Sequence, residues 1–350
     1  MVLEEEVEPP LINWLGDFPD GELPPHADGT GKQVILIALD TEYQSNYTAN
    51  TNLCLSYQYA LYSLFDGTYA SGIFFPDVTK QERYSWSEFT HRVLKEAQIT
   101  PSHLEDFRII FIAHFFSAEW AMFSDKKDLY MKFEYIRKSL ITPKPLDTTL
   151  LDENGEPVSC WVDVRDTMLL LPDGYHSLDK ASTFLDGFKK IALEAQVKAN
   201  MYDLLQTNPE LFREYAIRDA EVTLKLFIKL QYMLNHINKT CTKLFLTLAS
   251  ATTNDFIEFS KENAGERTHY MQFGRCHSLY KEHEALANRS YLGGLNSSYH
   301  LGKAEGYTFI DIDFKNAYPT AMNLIQIGDF GEAYKKKRKA KKVDLTRLLA

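Results

Sequence analysis

The hydrophobic positions of this chain follow two periods, one suited to strands and one to helices. Val34–Leu39 is an unbroken apolar run of strand length. Leu53–Leu64 and Gly72–Phe75 follow as strand segments, with Asp66 and Gly67 supplying the hairpin turn between them. Trp86–Gln98 reads as a helix. Arg108–Ala113 reads as a buried strand leading into a helix that starts near Ser117, and Trp161–Leu171 as a further strand closed by Pro172, Asp173 and Gly174. The clearest helix begins at Asn208, an N-cap residue followed by Pro209 at the first helical position. Its apolar residues continue at helical spacing through Tyr215, Val222, Leu226 and Leu230.

Strands first and mixed elements afterwards predict an α/β sheet domain ending near residue 235. Residues 1–32 are rich in Pro, Gly and acid and read as an arm. A polar, poorly periodic stretch over about 236–285 reads as a connector, and Tyr307–Ile312 as a new strand.

Composition changes this picture little. A chain of 350 residues, 45% hydrophobic and 25% charged, is ordinary for globular protein. The formal net charge of −10 argues against a uniformly basic nucleic-acid coat. It leaves room for clustered acids and a local basic track. The run Lys335–Lys342 is basic at seven positions of eight, a solvated face or a phosphate contact. The cysteines, Cys54, Cys160, Cys241 and Cys276, form no C-x-x-C pair, which excludes a zinc ribbon or disulfide framework and fits a reducing compartment. The pair Cys276 and His277 has no second pair at ligand spacing. No apolar stretch is long enough to span a membrane and the N-terminus lacks a signal-peptide pattern, so a cytoplasmic protein is expected.

Candidate chemistry lies in carboxylates. Two-metal hydrolysis of a phosphodiester needs hard oxygen ligands around ions about 3.5–4 Å apart, and Mg²⁺ or Mn²⁺ favours carboxylates over His or Cys. Asp40 and Glu42 stand at the end of Val34–Leu39; as residues i and i+2 of a strand they share a face. Glu119 falls in the first turn of a helix just beyond a buried strand, where an acid also complements the helix N-terminus. Tyr215 and Asp219 are i and i+4 on the Asn208 helix and share a face. Asp163 and Asp166 are further acids that read as backup ligands or as structural strand-end acids.

In order and spacing these residues resemble the Exo I (D-x-E), Exo II and Exo III (Y-x-x-x-D) motifs of the DEDD exonuclease superfamily. The resemblance implies an RNase H-like α/β fold, a mixed sheet with flanking helices, over residues 33–235. It implies that Asp40 bridges two Mg²⁺ (or Mn²⁺) ions and that Glu42 and Asp219 hold the ion that activates water. Glu119 would support the second ion and Tyr215 would orient the attacking water. Exo II departs from the family pattern. Phe115 follows His114 where the family has Asn, and Glu119 replaces Asp. Glu is one methylene longer, which shifts ligand geometry, and losing the Asn removes a substrate contact.

Two further motifs resemble family B DNA polymerases. Tyr291, Gly293 and Gly294 match the Y-x-G-G motif that contacts DNA between the exonuclease and polymerase modules, within a connector placed at 236–305; paired glycines let a backbone approach phosphates. Asp313, Tyr318 and Pro319 are similar to motif A of the polymerase palm. There Asp313 corresponds to a metal ligand and Tyr318 to the residue that excludes ribonucleotides. Ser177 and Leu178 resemble the single-strand-contacting Ser/Thr-Leu motif of the protein-primed phage and linear-plasmid branch; a helix N-cap is the competing reading of Ser177. Residues 306–350 would then be the truncated start of a palm domain, with no second palm carboxylate in the chain.

The resemblance implies DNA as partner, both a single-stranded 3′ end and primer-template. It also implies a terminal protein primer and a second chain carrying the rest of the polymerase. His114, Phe115, Ser177 and Leu178 are the expected DNA contacts, with Tyr43 and Phe115 as stacking platforms. Lys189, Lys190 and Arg218 read as phosphate contacts or as a solvated face. The expected function is a proofreading 3′→5′ exonuclease in a replicative polymerase fragment. A catalytically impaired DNA-binding or assembly fragment is the alternative, and an RNA-trimming DEDD nuclease a third reading.

Overall fold

The computed structural model describes residues 33–46, 51–64, 66–99, 107–129, 132–151, 156–185, 187–238, 244–264, 306 and 317–324. The chain divides into two compact units, Met1–Glu258 and Phe259–Ala350. In the second, the described structure includes the helix Ala317–Leu324. The expected arm, the Tyr291–Gly294 motif, Asp313, the Tyr307–Ile312 strand, the Cys276–His277 pair and the basic run lie outside the described residues.

The first unit is built on a six-stranded mixed sheet. Its strands are β1 (Gln33–Asn46), β2 (Thr51–Ser63), β3 (Tyr69–Phe74), β4 (Phe107–Ala113), β7 (Leu146–Leu151) and β8 (Pro157–Asp166). Across the sheet they stand in the order β3-β2-β1-β4-β8-β7. The strands β3, β2 and β1 form an antiparallel meander, β1, β4 and β8 run parallel, and β7 returns antiparallel. A small hairpin of β5 (Glu134–Ile136) and β6 (Ser139–Ile141) forms a separate two-stranded sheet. This mixed α/β arrangement is compatible with an RNase H-like fold.

Both faces of the sheet are covered, and strand parity sorts the core. Ile35, Ile37 and Leu39 of β1 join Tyr57, Tyr59, Ile109 and Phe111 on one face. Helix α1 (Trp86–Glu96) contributes Trp86, Phe89 and Val93 there, and α2 (Phe116–Trp120) contributes Phe116 and Trp120. Val34, Leu36 and Ala38 point the other way, with Ala60, Ile110 and Ile112, onto Val222, Leu226 and Leu230 of the long helix Pro209–Ile237. Burial on both faces explains why the apolar run of β1 shows no alternation.

Local chemistry sets the boundaries. Asn208 caps the long helix by accepting from the Leu211 amide at 3.1 Å, with Pro209 following as the pattern predicts. The hairpin turn at Asp66 and Gly67 forms as expected, with Gly67 at φ 75° and the Thr68 amide donating to Asp66 at 3.0 Å. The strand expected over Trp161–Leu171 instead ends at Asp166, because that carboxylate accepts from the Met168 amide at 2.9 Å and starts a 3-10 turn, Thr167–Leu170. The stretch expected to be only a connector contains the helix Leu248–Ala264.

Asp163 is fully buried between two arginines, Arg108 and Arg165. Replacing Asp163 by Asn removes the carboxylate charge that Arg108 and Arg165 share in the core, and we expect a loss of about 3–5 kcal/mol. Urea unfolding measures it, and the loss should be the same with or without divalent cations.

Candidate active site

Beyond Leu39, midway along β1, the strand emerges from between the two core layers and its polarity inverts; it does not end there as its apolar run suggested, since pairing with β2 carries it on to Asn46. Asp40 and Glu42 have the parity of Leu36 and Ala38, so they face the long helix. Tyr215 and Asp219 lie one turn apart on that helix and face inward, 5% and 2% exposed. Asp40, Glu42 and Asp219 each bring a carboxylate oxygen within 4.8 Å of the others. Residues about 180 positions apart in sequence thus converge through one strand and one helix.

Such crowding is electrostatically costly. Burial, and then the charge of Asp219, raises the Asp40 pKa to about 7. Burial, then Asp40 and Asp219, holds Glu42 well above the usual carboxylate range. Asp219 is also raised by burial, against which Lys190 works. The Lys190 ammonium forms an ion pair with Asp219 Oδ2 and lies 5.0 Å from the centre of the Tyr215 ring. Although burial opposes its charge, the carboxylates keep Lys190 protonated. Its position is fixed two residues earlier: the Phe188 ring is gripped by Arg218 at 4.2 Å and Lys225 at 3.2 Å, both from the long helix.

The donor set suits a hard divalent cation, being all carboxylate oxygen. One atom argues for this directly: Asp219 Oδ1 is buried with no hydrogen-bond partner, which is costly for a carboxylate oxygen unless a cation meets it. Asp40, Glu42 and Asp219 are therefore the residues that could hold a metal.

Glu119 stands apart from these three. It is buried in α2 and accepts a 2.5 Å hydrogen bond from Thr41 Oγ1, and Thr41 has the opposite strand parity from Asp40 and Glu42. Burial, followed by the charge of Asp40, raises its pKa, so it lies near enough to feel the cluster.

No family model matches the chain. The chain is similar to the primer-independent DNA polymerase PolB of Escherichia coli, with 25% identity over a match that covers 84% of this chain. The match spans 38% of that protein's length. The likeness supports a family B polymerase-like relation.

Around the carboxylates the other residues singled out in the sequence fall as follows. His114 is engaged at both ring nitrogens, by Thr167 Oγ1 and the His176 carbonyl, each at 2.8 Å. Burial pushes its pKa down to about 4, so the ring is neutral at neutral pH. Phe115 adopts a left-handed backbone with φ 75°, held because its amide and that of Phe116 donate to Asp166 at 3.1 and 2.8 Å. Asp166 thus organises the turn before α2, and Asp163 serves the arginine pair; neither belongs to the carboxylate trio. Ser177 caps the short helix Leu178–Ala181 through the Lys180 amide, and Leu178 is buried. Tyr43 packs partly against the core. Lys189 is exposed, Arg218 lies over Phe188, and Tyr318 is 74% exposed on its helix.

Sequence reasoning missed the site role of Lys190, and missed Thr41, Gln58 and Ser56 altogether. The signal for Gln58 was present as a long polar side chain inside an apolar strand segment, but Leu53–Leu64 reads equally well with that position facing solvent.

We expect Asp40→Asn to raise the melting temperature of metal-free protein by relieving repulsion. The same change should abolish the stabilisation that Mn²⁺ gives the wild type, about 2.7 kcal/mol at one hundred times its dissociation constant. Thermal melts with and without Mn²⁺ check both signs.

Proposed function

We propose that residues 33–235 act as a metal-dependent 3′→5′ exonuclease on single-stranded DNA ends, the proofreading part of a family B replicative polymerase. The observation that carries this reading is the convergence of Asp40, Glu42 and Asp219, with a buried, unpartnered oxygen among them. Asp40, Glu42 and Asp219 would hold two Mg²⁺ or Mn²⁺ ions, with Glu119 as the fourth carboxylate beside Asp40. Bound divalent cations acidify water and clamp the attacking and leaving oxygens of an in-line displacement. Water attacks the terminal phosphorus, the bond from phosphorus to the 3′ oxygen breaks, and a nucleoside 5′-monophosphate leaves a new 3′-hydroxyl. Tyr215, protonated because burial and then Asp219 raise its pKa, keeps its O–H as a donor to orient the attacking water. Lys190, held on Asp219, offsets negative charge as the phosphate develops more of it.

Substrate handling fits the β5–β6 hairpin. Residues 126–144 carry six basic against two acidic side chains in a chain of net charge −10. Lys127, Lys132, Arg137, Lys138 and Lys144 are exposed. The hairpin is tied to the site, since Ser117 Oγ of α2 donates to the Lys138 carbonyl at 2.6 Å. We assign this ridge to the phosphates of the single strand.

The position of Glu119 favours one second reading. Hydrogen-bonded to Thr41 and outside the trio, it is consistent with a catalytically impaired DNA-binding module of a split replicase. A 5′-labelled single-stranded oligonucleotide with Mg²⁺, Mn²⁺ or chelator separates the two. We expect stepwise shortening from the 3′ end with metal, none with chelator, and none from the Asp40→Ala/Glu42→Ala protein. Binding without digestion would favour the second reading.

The ridge has its own test. In chelator, Lys127→Ala/Arg137→Ala/Lys138→Ala should weaken oligonucleotide binding. It should also flatten the slope of log affinity against log salt by about 0.7 for each phosphate that is no longer neutralised. Fluorescence anisotropy at several salt concentrations measures it.

A further inference from the structure

The polar residues that β2 presents to the carboxylates are as unusual as the carboxylates themselves. In the antiparallel register Gln58 stands directly opposite Asp40, and Ser56 directly opposite Glu42. Both are fully buried, at 0% exposure, in a strand whose neighbouring positions are Leu55, Tyr57, Tyr59 and Ala60. A buried primary amide is expensive unless its hydrogen-bonding groups are met. Here they are met in one sense only. Gln58 Nε2 donates to Asp40 Oδ2 at 2.5 Å, and Ser56 Oγ donates to Gln58 Oε1 at 3.1 Å.

The direction of these bonds follows from donor and acceptor chemistry. In its ionised form, the form that takes a cation, the Asp40 carboxylate accepts and cannot donate, so only the NH₂ end of the amide can then face it. That leaves Oε1 turned away, where a hydroxyl donor is needed, and Ser56 supplies it. The flipped amide would set oxygen against oxygen at Asp40. Serine, amide and carboxylate thus form a chain with a fixed polarity across two adjacent strands.

We propose that Gln58, oriented by Ser56, is a positioning residue that fixes the Asp40 carboxylate for divalent-cation binding. With Oδ2 engaged by the amide, the carboxylate plane is set and its other oxygen is left for a cation. The backbones of Gln58 and Ser56 are held by the β1–β2 ladder, and their side chains are confined by full burial. Sites built on such elements hold ligands more closely than sites on loops, and partners behind the ligands typically change metal affinity about 10–100-fold when removed. The proposal rests on the reading of Asp40, Glu42 and Asp219 as metal ligands.

Mn²⁺ affinity tests it without recourse to activity. In titrations followed by electron paramagnetic resonance, Gln58→Met should weaken Mn²⁺ binding about tenfold or more, in protein whose circular dichroism and melting curve remain native. Ser56→Ala should weaken binding less, by about two- to threefold. Because Ser56 acts through Gln58, adding Ser56→Ala to Gln58→Met should cost nothing further, a coupling that a general loss of packing would not produce. Ser56→Ala removes only a hydroxyl and carries the test alone if Gln58→Met folds poorly. Wild-type affinity in Ser56→Ala, or in folded Gln58→Met, overturns the proposal, as do fully additive effects in the double variant. Wild-type protein that binds no Mn²⁺ overturns both readings. Wild-type protein that binds Mn²⁺ with the expected coupling but leaves DNA intact overturns the exonuclease reading alone.

Discussion

The two-residue period of a single strand governs this molecule. Strand β1 runs between two helical layers, and its side chains must alternate between them. While the residues are apolar, both parities are buried: Ile35, Ile37 and Leu39 toward α1 and α2, Val34, Leu36 and Ala38 toward the long helix. At Asp40 the same alternation continues with polar residues. Asp40 and Glu42 inherit the face of the long helix, and Thr41 inherits the face of α2, where it binds Glu119. A one-residue slip in register would exchange these roles and dismantle the site.

The cluster that results is unfavourable by its own charge and survives because other interactions hold it. Lys190 pairs with Asp219, Gln58 donates to Asp40 and Thr41 donates to Glu119. Each is delivered by an element whose position is set elsewhere: Lys190 by Phe188 against two cations of the long helix, Gln58 by the β1–β2 ladder, Glu119 by the turn that Asp166 organises. Stored repulsion of this kind is characteristic of sites whose charge is completed by a ligand. Here the unpartnered Asp219 Oδ1 marks where it is incomplete.

Other acids that looked equivalent in sequence serve different ends. Asp163 compensates Arg108 and Arg165 in the core, and Asp166 accepts from the amides that begin α2 and the 3-10 turn. His114 and Ser177 are engaged with their own surroundings, through Thr167, the His176 carbonyl and the Lys180 amide. What distinguishes Asp40, Glu42 and Asp219 is that three carboxylates, two from β1 and one from the long helix, face one another with too little compensating charge.

By itself the sequence determined the elements and the pairing of residues within each. Hydrophobic period and capping chemistry placed β2, α1, β4 and the long helix within a few residues of their observed ends, whereas β1 runs on past its apolar run to Asn46 because its pairing with β2 continues through the polar residues. Strand and helix spacing put Asp40 with Glu42 and Tyr215 with Asp219, because those relations are local and follow from fixed backbone repeats. Where β8 ends was not legible, since Trp161–Leu171 carries strand-like residues on both sides of Asp166 and only the backbone amides beyond that residue decide the turn. Only the tertiary structure decided which local pairs meet. The β1–β2 register brought Gln58 to Asp40, the packing of the long helix on the sheet brought Asp219 to both acids, and the course of the chain around Phe188 brought Lys190 to Asp219. Such encounters depend on burial summed over the whole core, which no window of neighbouring residues contains.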